Sequence, residues 1–544
     1  MLKLYRMKNI LKLYFIFGLV TLVEAASLYA PTPEEFYRAL SNSSHDWIIY
    51  NTGGTYQYLE KQNIIGTGNL TLNILFIRDT SLQNIFVLEN LNLSDYENIV
   101  IWIRHRVKIK LINCTFNFKK NGGMKIYFEN DGYLYPQTLH DTGVTIDSCT
   151  FNNDYGEIGN EPAYQLMFTK DVYPDPDESS KNFTMQNVEI KNTEFYLFNY
   201  PEQLHNNLTA IQFYRPDADV SFSNIRIRNA TIEFSLINDA ITDGIVFSNN
   251  NKANFRKPDL KLYSKNRNID ITDNYLYSDS GDPGHAVFMQ GPYDTVSVSS
   301  NKLYRFGANF LSDQKLHLDG SIHLYGARIG RYCDDIRNAV VSRNTVHAVS
   351  SAIQVLGAKD CLIEENKVSM LPYPAHWIND PRADSYDRMG IIAATGDYKD
   401  DSRQSENIVI SNNLINCNNE DGSLGIMTDA KNFTISGNRI NNPGSYGIIY
   451  WGHEEVSELD VGTSAIVDNS IDFGNEAKKD LKAYFYSPEK YRGMEFSGIH
   501  FYRMNNGEIY ENEKLRIKNN HIINNDAIKD TLISDFNTKK IKTN

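Results

Sequence analysis

Cysteine is scarce in this sequence, with five residues in a chain of 544 and no CxxC pair. A zinc module needs clustered ligands at short spacings, and a disulfide-dense scaffold needs many cysteines in a short chain. Both classes are therefore excluded. The five are Cys114, Cys149, Cys333, Cys361 and Cys417.

Positive charge is also in deficit, because 54 Lys and Arg residues face 67 Asp and Glu residues, for a formal net charge of −13. Affinity for nucleic acid depends on many Lys and Arg contacts to phosphate. An acidic chain of this kind is not predicted to bind nucleic acid. An anionic glycan would need a local basic cluster or a bound cation.

Long apolar runs are missing except near the start, where about eleven residues follow four cations. The run extends from Leu13 to Val23, and small residues stand at Ala25 and Ala26. A membrane anchor needs roughly twenty apolar residues, so the segment favours a cleaved export signal over residues 1–25. The sequence predicts a secreted chain, extracellular or periplasmic, with no membrane partner after cleavage. The cations are Lys3, Arg6, Lys8 and Lys12.

What the chain does have is a repeat. A ten-residue phrase with alternating apolar residues recurs twelve times from KIKLINCTFN at 108–117 to KLRIKNNHII at 514–523, and ten of its seventh positions are asparagine. Stacked asparagines at a bend can adopt left-handed backbone geometry and pass amide hydrogen bonds from coil to coil. We expect an inward ladder. Its members would be Cys114, Cys149, Asn192, Asn229, Asn274, Asn301, Asn344, Asn366, Asn413, Asn438, Asn469 and Asn520.

A second phrase, a small residue followed by a β-rich run, lies between most copies of the first. Each coil should therefore contain at least two short strands and a bend. The 22-residue spacing from Asn344 to Asn366 fits one bare coil, and we expect residues 371–388 and 453–463 to leave the solenoid as loops. The second phrase occurs at 209–215, 243–249, 320–326, 351–357, 389–396, 424–430, 446–452 and 497–503.

This combination resembles the pectin-lyase-like superfamily of right-handed parallel β-helices over about residues 65–525. The resemblance implies an all-β solenoid with an N-terminal capping helix and loop excursions. We expect the signal at 1–25, the cap and entry strand at 26–64, and a polar tail at 526–544. The superfamily includes polysaccharide lyases, glycoside hydrolases, uronan epimerases, phage depolymerases and noncatalytic adhesins, and the fold does not choose among them.

The inward and outward alternation of side chains along the second phrase predicts which of them project from the outer face of the coil. Stacked coils bring such residues into rows about 4.8 Å apart, and rows of aromatic, amide and imidazole groups suit sugars. We expect these rows to face solvent. The members are Gln212, Tyr214, Phe288, Gln290, His323, Tyr325, Gln354, Leu356, Met427, Asp429, Ile449, Trp451, His500 and Tyr502.

The densest group of reactive side chains lies at 315–331, and Asp282 and His285 occupy the matching place one coil earlier. Asp239 and Asp243 would lie one coil further back. The predicted catalytic residues are His317, Asp319, His323, Arg328, Asp282 and His285. The predicted substrate-binding residues are Lys315, Tyr325, Arg331, Gln290, Gln354, Tyr214 and Trp451.

Three functions could use this group. A lyase or epimerase takes the C5 proton of a uronate with Lys315, His323 or Tyr325 as base, while Arg328, Arg331 or a Ca²⁺ ion neutralises the carboxylate. A hydrolase needs two carboxylates flanking the glycosidic bond, for which Asp282 and Asp319 are the best pair. A noncatalytic adhesin would only bind. We favour lyase-type β-elimination of a uronic-acid glycan. Apart from Ca²⁺, the sequence implies no cofactor.

Overall fold

The structure of the protein is a computed structural model, which divides into two units, Met1–Ala218 and Asp219–Asn544. It describes residues 46–51, 55–76, 85–103, 108–128, 143–154, 163–170, 183–198, 208–214, 220–228, 241–248, 251–252, 260–263, 266–277, 286–290, 293–306, 309–310, 316–317, 320–326, 328–329, 332–333, 336–372, 388–395, 404–418, 423–452, 463–474, 497–503, 515–523 and 533–535. Every regular element within these ranges is a β-strand. None of these residues belongs to a helix long and apolar enough to cross a membrane.

The first unit is a set of parallel strands. Its strands are β1 (Asp46–Asn51), β2 (Thr55–Phe76), β3 (Ile85–Ile103), β4 (Lys108–Ile112), β5 (Thr115–Phe128), β6 (Gly143–Asp147), β7 (Thr150–Asp154), β8 (Ala163–Lys170), β9 (Phe183–Lys191), β10 (Glu194–Phe198) and β11 (Leu208–Tyr214). Pairing runs in the parallel series β1–β2–β3, β3–β4–β6–β9, β3–β5–β7–β10 and β5–β8–β11.

The second unit contains three parallel sheets. Sheet 1 contains β12 (Val220–Arg228), β13 (Ile241–Ser248), β16 (Asn266–Thr272), β19 (Tyr293–Ser299), β26 (Ile336–Ser342), β29 (Ala358–Glu364), β32 (Glu406–Ser411), β35 (Thr434–Ser436), β38 (Ala465–Val467) and β41 (Arg516–Lys518). Sheet 2 contains β14 (Asn251–Lys252), β17 (Tyr275–Tyr277), β20 (Lys302–Phe306), β27 (Thr345–Ala348), β30 (Lys367–Met370), β33 (Leu414–Asn416), β36 (Arg439–Asn441), β39 (Ser470–Asp472) and β42 (His521–Ile523). Sheet 3 contains β15 (Leu260–Tyr263), β18 (Val287–Gln290), β23 (Ile322–Tyr325), β28 (Ile353–Leu356), β31 (Met389–Ala394), β34 (Leu424–Thr428), β37 (Tyr446–Gly452), β40 (Ser497–Arg503) and β43 (Ile533–Asp535).

One coil of the second unit therefore supplies one strand to each sheet, as β26, β27 and β28 do before β29 starts the next coil. Two short antiparallel pairs stand outside the three sheets: β21 (Asn309–Phe310) with β22 (Leu316–His317), and β24 (Arg328–Ile329) with β25 (Tyr332–Cys333). The expected parallel β-helix is confirmed, with three strands per coil where the sequence indicated at least two.

In-register stacking places like residues on like residues inside the coil. In sheet 3 the column of β-branched side chains is at most 1% exposed, and buried aliphatic columns recur in sheets 1 and 2. Burying apolar area at this density stabilises each coil by its contact with the next. The sheet 3 column is Ile322, Ile353, Ile391, Ile426, Ile448 and Ile499.

The asparagine ladder is confirmed in the second unit. Each member donates from Nδ2 to Oδ1 of the next at 2.7–3.0 Å, and most members are fully buried. The same Oδ1 also accepts the backbone N–H of the preceding member, at 2.9 Å from Asn366 to Asn413. The members are Asn274, Asn301, Asn344, Asn366, Asn413, Asn438, Asn469 and Asn520.

The left-handed backbone was assigned to the wrong residue. Positive φ falls on the residue before each ladder asparagine, such as Arg343 (φ 54°) and Asn412 (φ 55°). The bend turns at that residue, and the ladder asparagine then points its amide into the coil. Because the bend residue is exposed or half-buried, side chains as different as Arg343, Glu365 and Ser300 occupy it.

In the first unit the ladder position is occupied by other small residues. Cys114 and Cys149 are buried there as free thiols, as expected, and burial raises the pKa of the Cys149 thiol. Asn192 was assigned one residue too early: it is the bend residue (φ 52°), and Thr193 is the buried one. Thr193 Oγ1 accepts the backbone N–H of Cys149 at 3.4 Å.

Some expectations fall outside the described residues. These are Asn229, the signal, the capping helix and most of both predicted loops. β43 lies within the predicted tail and pairs in parallel with β40, so strand pairing extends to Asp535.

Candidate functional site

Register places His323 between Phe288 and Gln354 on sheet 3, in the column next to the inward isoleucines. The side chains of Ile322 and Leu324 fill the core on either side of it. Alternation therefore sends His323 and Tyr325 out of the other face of β23. Gln290 and Leu356 flank Tyr325 in the same way on β18 and β28.

The expectation that this outer row faces solvent is wrong for several of its members. His323 is 5% exposed, and Asp429, Ile449 and His500 are at most 1% exposed. Gln354, Tyr325, Leu356 and Met427 are half-buried. Alternation fixes the face from which a side chain leaves the strand, but it does not determine what packs over that face.

Further along sheet 3 the outer face carries a buried apolar cluster, against which Leu356 and Met427 pack. His500 stacks on Tyr446 with ring centroids 4.8 Å apart, so it belongs to this packed region. Three members of the predicted outward set, Met427, Ile449 and His500, are therefore packing residues. The cluster consists of Met389, Ile392, Ala394, Leu424, Tyr446 and Ile449.

Asp429 also has a structural role. Its carboxylate Oδ1 accepts the backbone N–H of Thr395 at 2.7 Å, and its carbonyl oxygen accepts Gln404 Nε2 at 2.7 Å. The Tyr450 hydroxyl donates to the same carbonyl at 3.2 Å. A buried carboxylate satisfied in this way ties neighbouring coils together.

The surroundings of His323 are well defined. Its ring and that of Tyr325 are tilted, with centroids 5.5 Å apart. Gln354 Oε1 accepts the backbone N–H of Gly320 at 2.9 Å, which fixes the turn that leads into β23. A Cβ on Gly320 would lie 2.8 Å from Gln354 Cβ, so the close approach requires glycine. The structure thus brings together His323, Tyr325 and Gln354.

For four other predicted residues the structure describes the backbone alone. His317 lies in β22 and Arg328 in β24, each in a short antiparallel pair beside the coil. Gln290 pairs with Tyr325, and Trp451 lies on β37, three strands beyond β28 in the same sheet. These positions keep Gln290 near His323 and place Trp451 further along sheet 3.

The remaining predicted residues lie on other elements or outside the described residues. Tyr214 lies in β11 of the first unit and pairs with Thr169. Asp243 was placed on the wrong sheet, because β13 pairs with β12 and β16 of sheet 1. An apolar run after a small residue can form a strand of sheet 1 or of sheet 3, so the second phrase alone could not assign Asp243 to a sheet. Outside the described residues lie Lys315, Asp319, Arg331, Asp282, His285 and Asp239.

Arg388 is a buried residue whose importance sequence reasoning missed. It is 2% exposed just before β31, and its Nη2 donates to the carbonyl oxygen of Leu371 at 3.3 Å. The sequence predicted that Arg388 lies at the end of the 371–388 loop. Its position directly before β31, which begins at Met389, was the only sign that it belongs to the coil. Among the described residues no group of three His, Cys, Asp or Glu side chains could hold a metal ion.

Comparison with known proteins agrees with this architecture. Residues 321–471 match the family model described as "Right handed beta helix region". No curated protein matches the chain in sequence.

Three solved structures are similar to the chain. The periplasmic alginate epimerase AlgG is 9% identical, with a TM-score of 0.29, over 84% of this chain and 78% of its own. PfbA, a surface adhesin of Streptococcus pneumoniae, is 13% identical, with a TM-score of 0.31, over 79% and 93%. A mannuronic acid specific polysaccharide family 6 lyase from human gut microbiota is 11% identical, with a TM-score of 0.28, over 88% and 91%. Residues 321–471 therefore match a right-handed β-helix, and the in-register parallel strands give the described chain a parallel β-helix fold.

Proposed function

We propose that the chain is a secreted polysaccharide-active enzyme that cleaves a uronic-acid glycan by β-elimination on the outer face of sheet 3. The observation that carries the proposal is the grouping of His323, Tyr325 and Gln354 on neighbouring strands. An imidazole, a phenol and an amide at one place can move a proton and hold sugar hydroxyls. Tyr325 and Gln354 are half-buried, whereas both ring nitrogens of His323 are buried, so the glycan must displace whatever covers the imidazole before it can act as a base.

In this mechanism His323 takes the C5 proton of a uronate, and the electron pair forms the C4–C5 double bond as the C4–O glycosidic bond breaks. Tyr325 returns a proton to the departing oxygen. The uronate carboxylate must be neutralised for C5 to release its proton, and Arg328 and Arg331 are the proposed residues. Ca²⁺ held by Asp282 and Asp319 would supply the same positive charge.

A panel of polymers tests the reaction type. We expect incubation with polygalacturonate or alginate to give both new reducing ends and the ultraviolet absorbance of unsaturated uronate, and a neutral glucan to give neither. Reducing ends without absorbance would replace elimination with hydrolysis by Asp282 and Asp319. Retained binding without either product would replace the enzyme with an adhesin.

Export is part of the proposal, because a polymeric uronic-acid glycan would be encountered outside the cytoplasm. We expect the mature protein to begin at Ala26, one residue after the predicted cleavage site. Mass spectrometry of the N-terminal peptide from secreted or periplasmic material measures this directly. A mature chain that retains Met1 to Ala25 would contradict it.

A further inference from the structure

The outer face of sheet 2 has a composition unlike that of the whole chain. Residues such as Leu303 and Val368 point from their strands into the core. The residues before and after each of them therefore project from the outer face of sheet 2. We call the part of this face from β17 to β36 the cationic stripe. Its first column, in register, is Tyr275, Lys302, Thr345, Lys367, Leu414 and Arg439. Its second column contains Tyr304, His347, Ser369, Asn416 and Asn441.

Cations recur on every second coil of the stripe. Lys302, Lys367 and Arg439 are all exposed, and successive members are two strands apart, or about 9.6 Å at a strand spacing of about 4.8 Å. Within the described part of the chain no carboxylate forms an ion pair with any of the three. Arg439 Nε donates to Asn441 Oδ1 at 3.4 Å, which keeps it on this face.

Charge balance along the stripe is the reverse of that of the chain. The described residues of β17 to β36 in sheet 2, with the bends before them, contain five cations and two carboxylates, Asp273 and Glu365. The whole chain has a net charge of −13. A local positive strip on an acidic protein attracts polyanions while the rest of the surface repels them. The five cations are Lys302, Arg305, Arg343, Lys367 and Arg439.

Exposed aromatic rings lie beside the cations. Tyr275 is 45% exposed and Tyr304 is 41% exposed, and the ring of Tyr304 is 5.4 Å from that of His347 on the next coil. Such rings cover the apolar face of a sugar, while the half-buried amides of Asn416 and Asn441 can bond its hydroxyls. These groups fit a charged sugar polymer better than a bare polyanion.

We infer that the cationic stripe binds a polyanionic glycan, a uronic-acid polymer lying along the helix axis across successive coils. In an extended 1,4-linked polyuronate with two-fold symmetry, carboxylates of alternate residues project to one side, as the cations do on alternate coils. The stripe lies on a different sheet from His323. It therefore holds polymer without reacting with it, and it shares only the ligand class with the proposed function.

The test is the affinity of the full chain for polygalacturonate and alginate, measured by calorimetry at low salt. The triple variant Lys302→Gln, Lys367→Gln, Arg439→Gln should bind on the order of tenfold more weakly and with a shallower salt dependence. A matched control, Lys108→Gln, Arg516→Gln, Lys518→Gln, removes the same charge from exposed positions on β4 and β41 and should bind as the unmodified chain does.

Equal affinity of the two triple variants would overturn the inference, as would the absence of polyuronate binding by the unmodified chain. Binding of double-stranded DNA through the stripe, without polyuronate binding, would also overturn it. Cleavage of a short uronate oligosaccharide separates the two proposals, because the stripe variant should retain it. If no oligosaccharide is cleaved but polymer binding still depends on the stripe, the proposed enzyme fails and the inference stands.

Discussion

His323→Ala is expected to lower the rate of uronate elimination by about 10²–10⁴-fold, the contribution typical of a general base. The same range is expected for Asp319→Asn if that carboxylate acts at the site. The measurement is the initial rate of ultraviolet absorbance on the polymer that the panel identifies. Because His323 is 5% exposed, urea denaturation must also show that each variant is folded under the conditions of the rate measurement.

His521→Ala is the matched control for this experiment. His521 is exposed on β42, away from β23 and beyond the cationic stripe, so its loss should leave the rate unchanged. Rates close to those of the unmodified enzyme for both His323→Ala and Asp319→Asn would remove this group from the mechanism.

Asn413→Leu should have the largest effect on stability. Leucine removes the acceptor of the Asn366 backbone N–H at 2.9 Å and the donor to the Ile363 carbonyl at 3.0 Å. Each buried group left without a partner costs about 1–3 kcal/mol, so the free energy of unfolding should fall by about 2–6 kcal/mol. Urea denaturation followed by circular dichroism measures the loss.

Asn416→Leu makes the same chemical change on the same coil, at a half-buried outward position. It loses one bond, in which Asn416 Oδ1 accepts the backbone N–H of exposed Asn418 at 3.1 Å, so the free energy of unfolding should fall by only about 0.5–1.5 kcal/mol. Equal losses for the two variants would mean that the ladder contributes no more than any other amide.

The repeat was predictable because the solenoid needs the same residue type at the same place in every coil. The ladder from Asn274 to Asn520 followed from that requirement alone. The one wrongly assigned member of the described ladder, Asn192 for Thr193, arose because two small polar residues stand side by side in KNTEF at the bend.

Burial of the site could not be predicted in the same way. Alternation sent His323 and Ile449 out of the correct face, but their low exposure depends on what packs over sheet 3. The cationic stripe was also missed. Lys302, Lys367 and Arg439 are 65 and 72 residues apart in sequence, and only the register brings them into one line.

The segment from Thr345 to Asn366 is a complete coil without excursions, and Lys367 is the register partner of Thr345. Its two ends therefore start equivalent strands one layer apart. A chain built in this way can gain or lose material in whole layers without disturbing the hydrogen bonds above and below. Insertions of any other length must leave the stack at a loop, because a partial layer would shift every inward side chain that follows. The length of the binding surface is thus quantised, and natural variation in it should occur in steps of one layer.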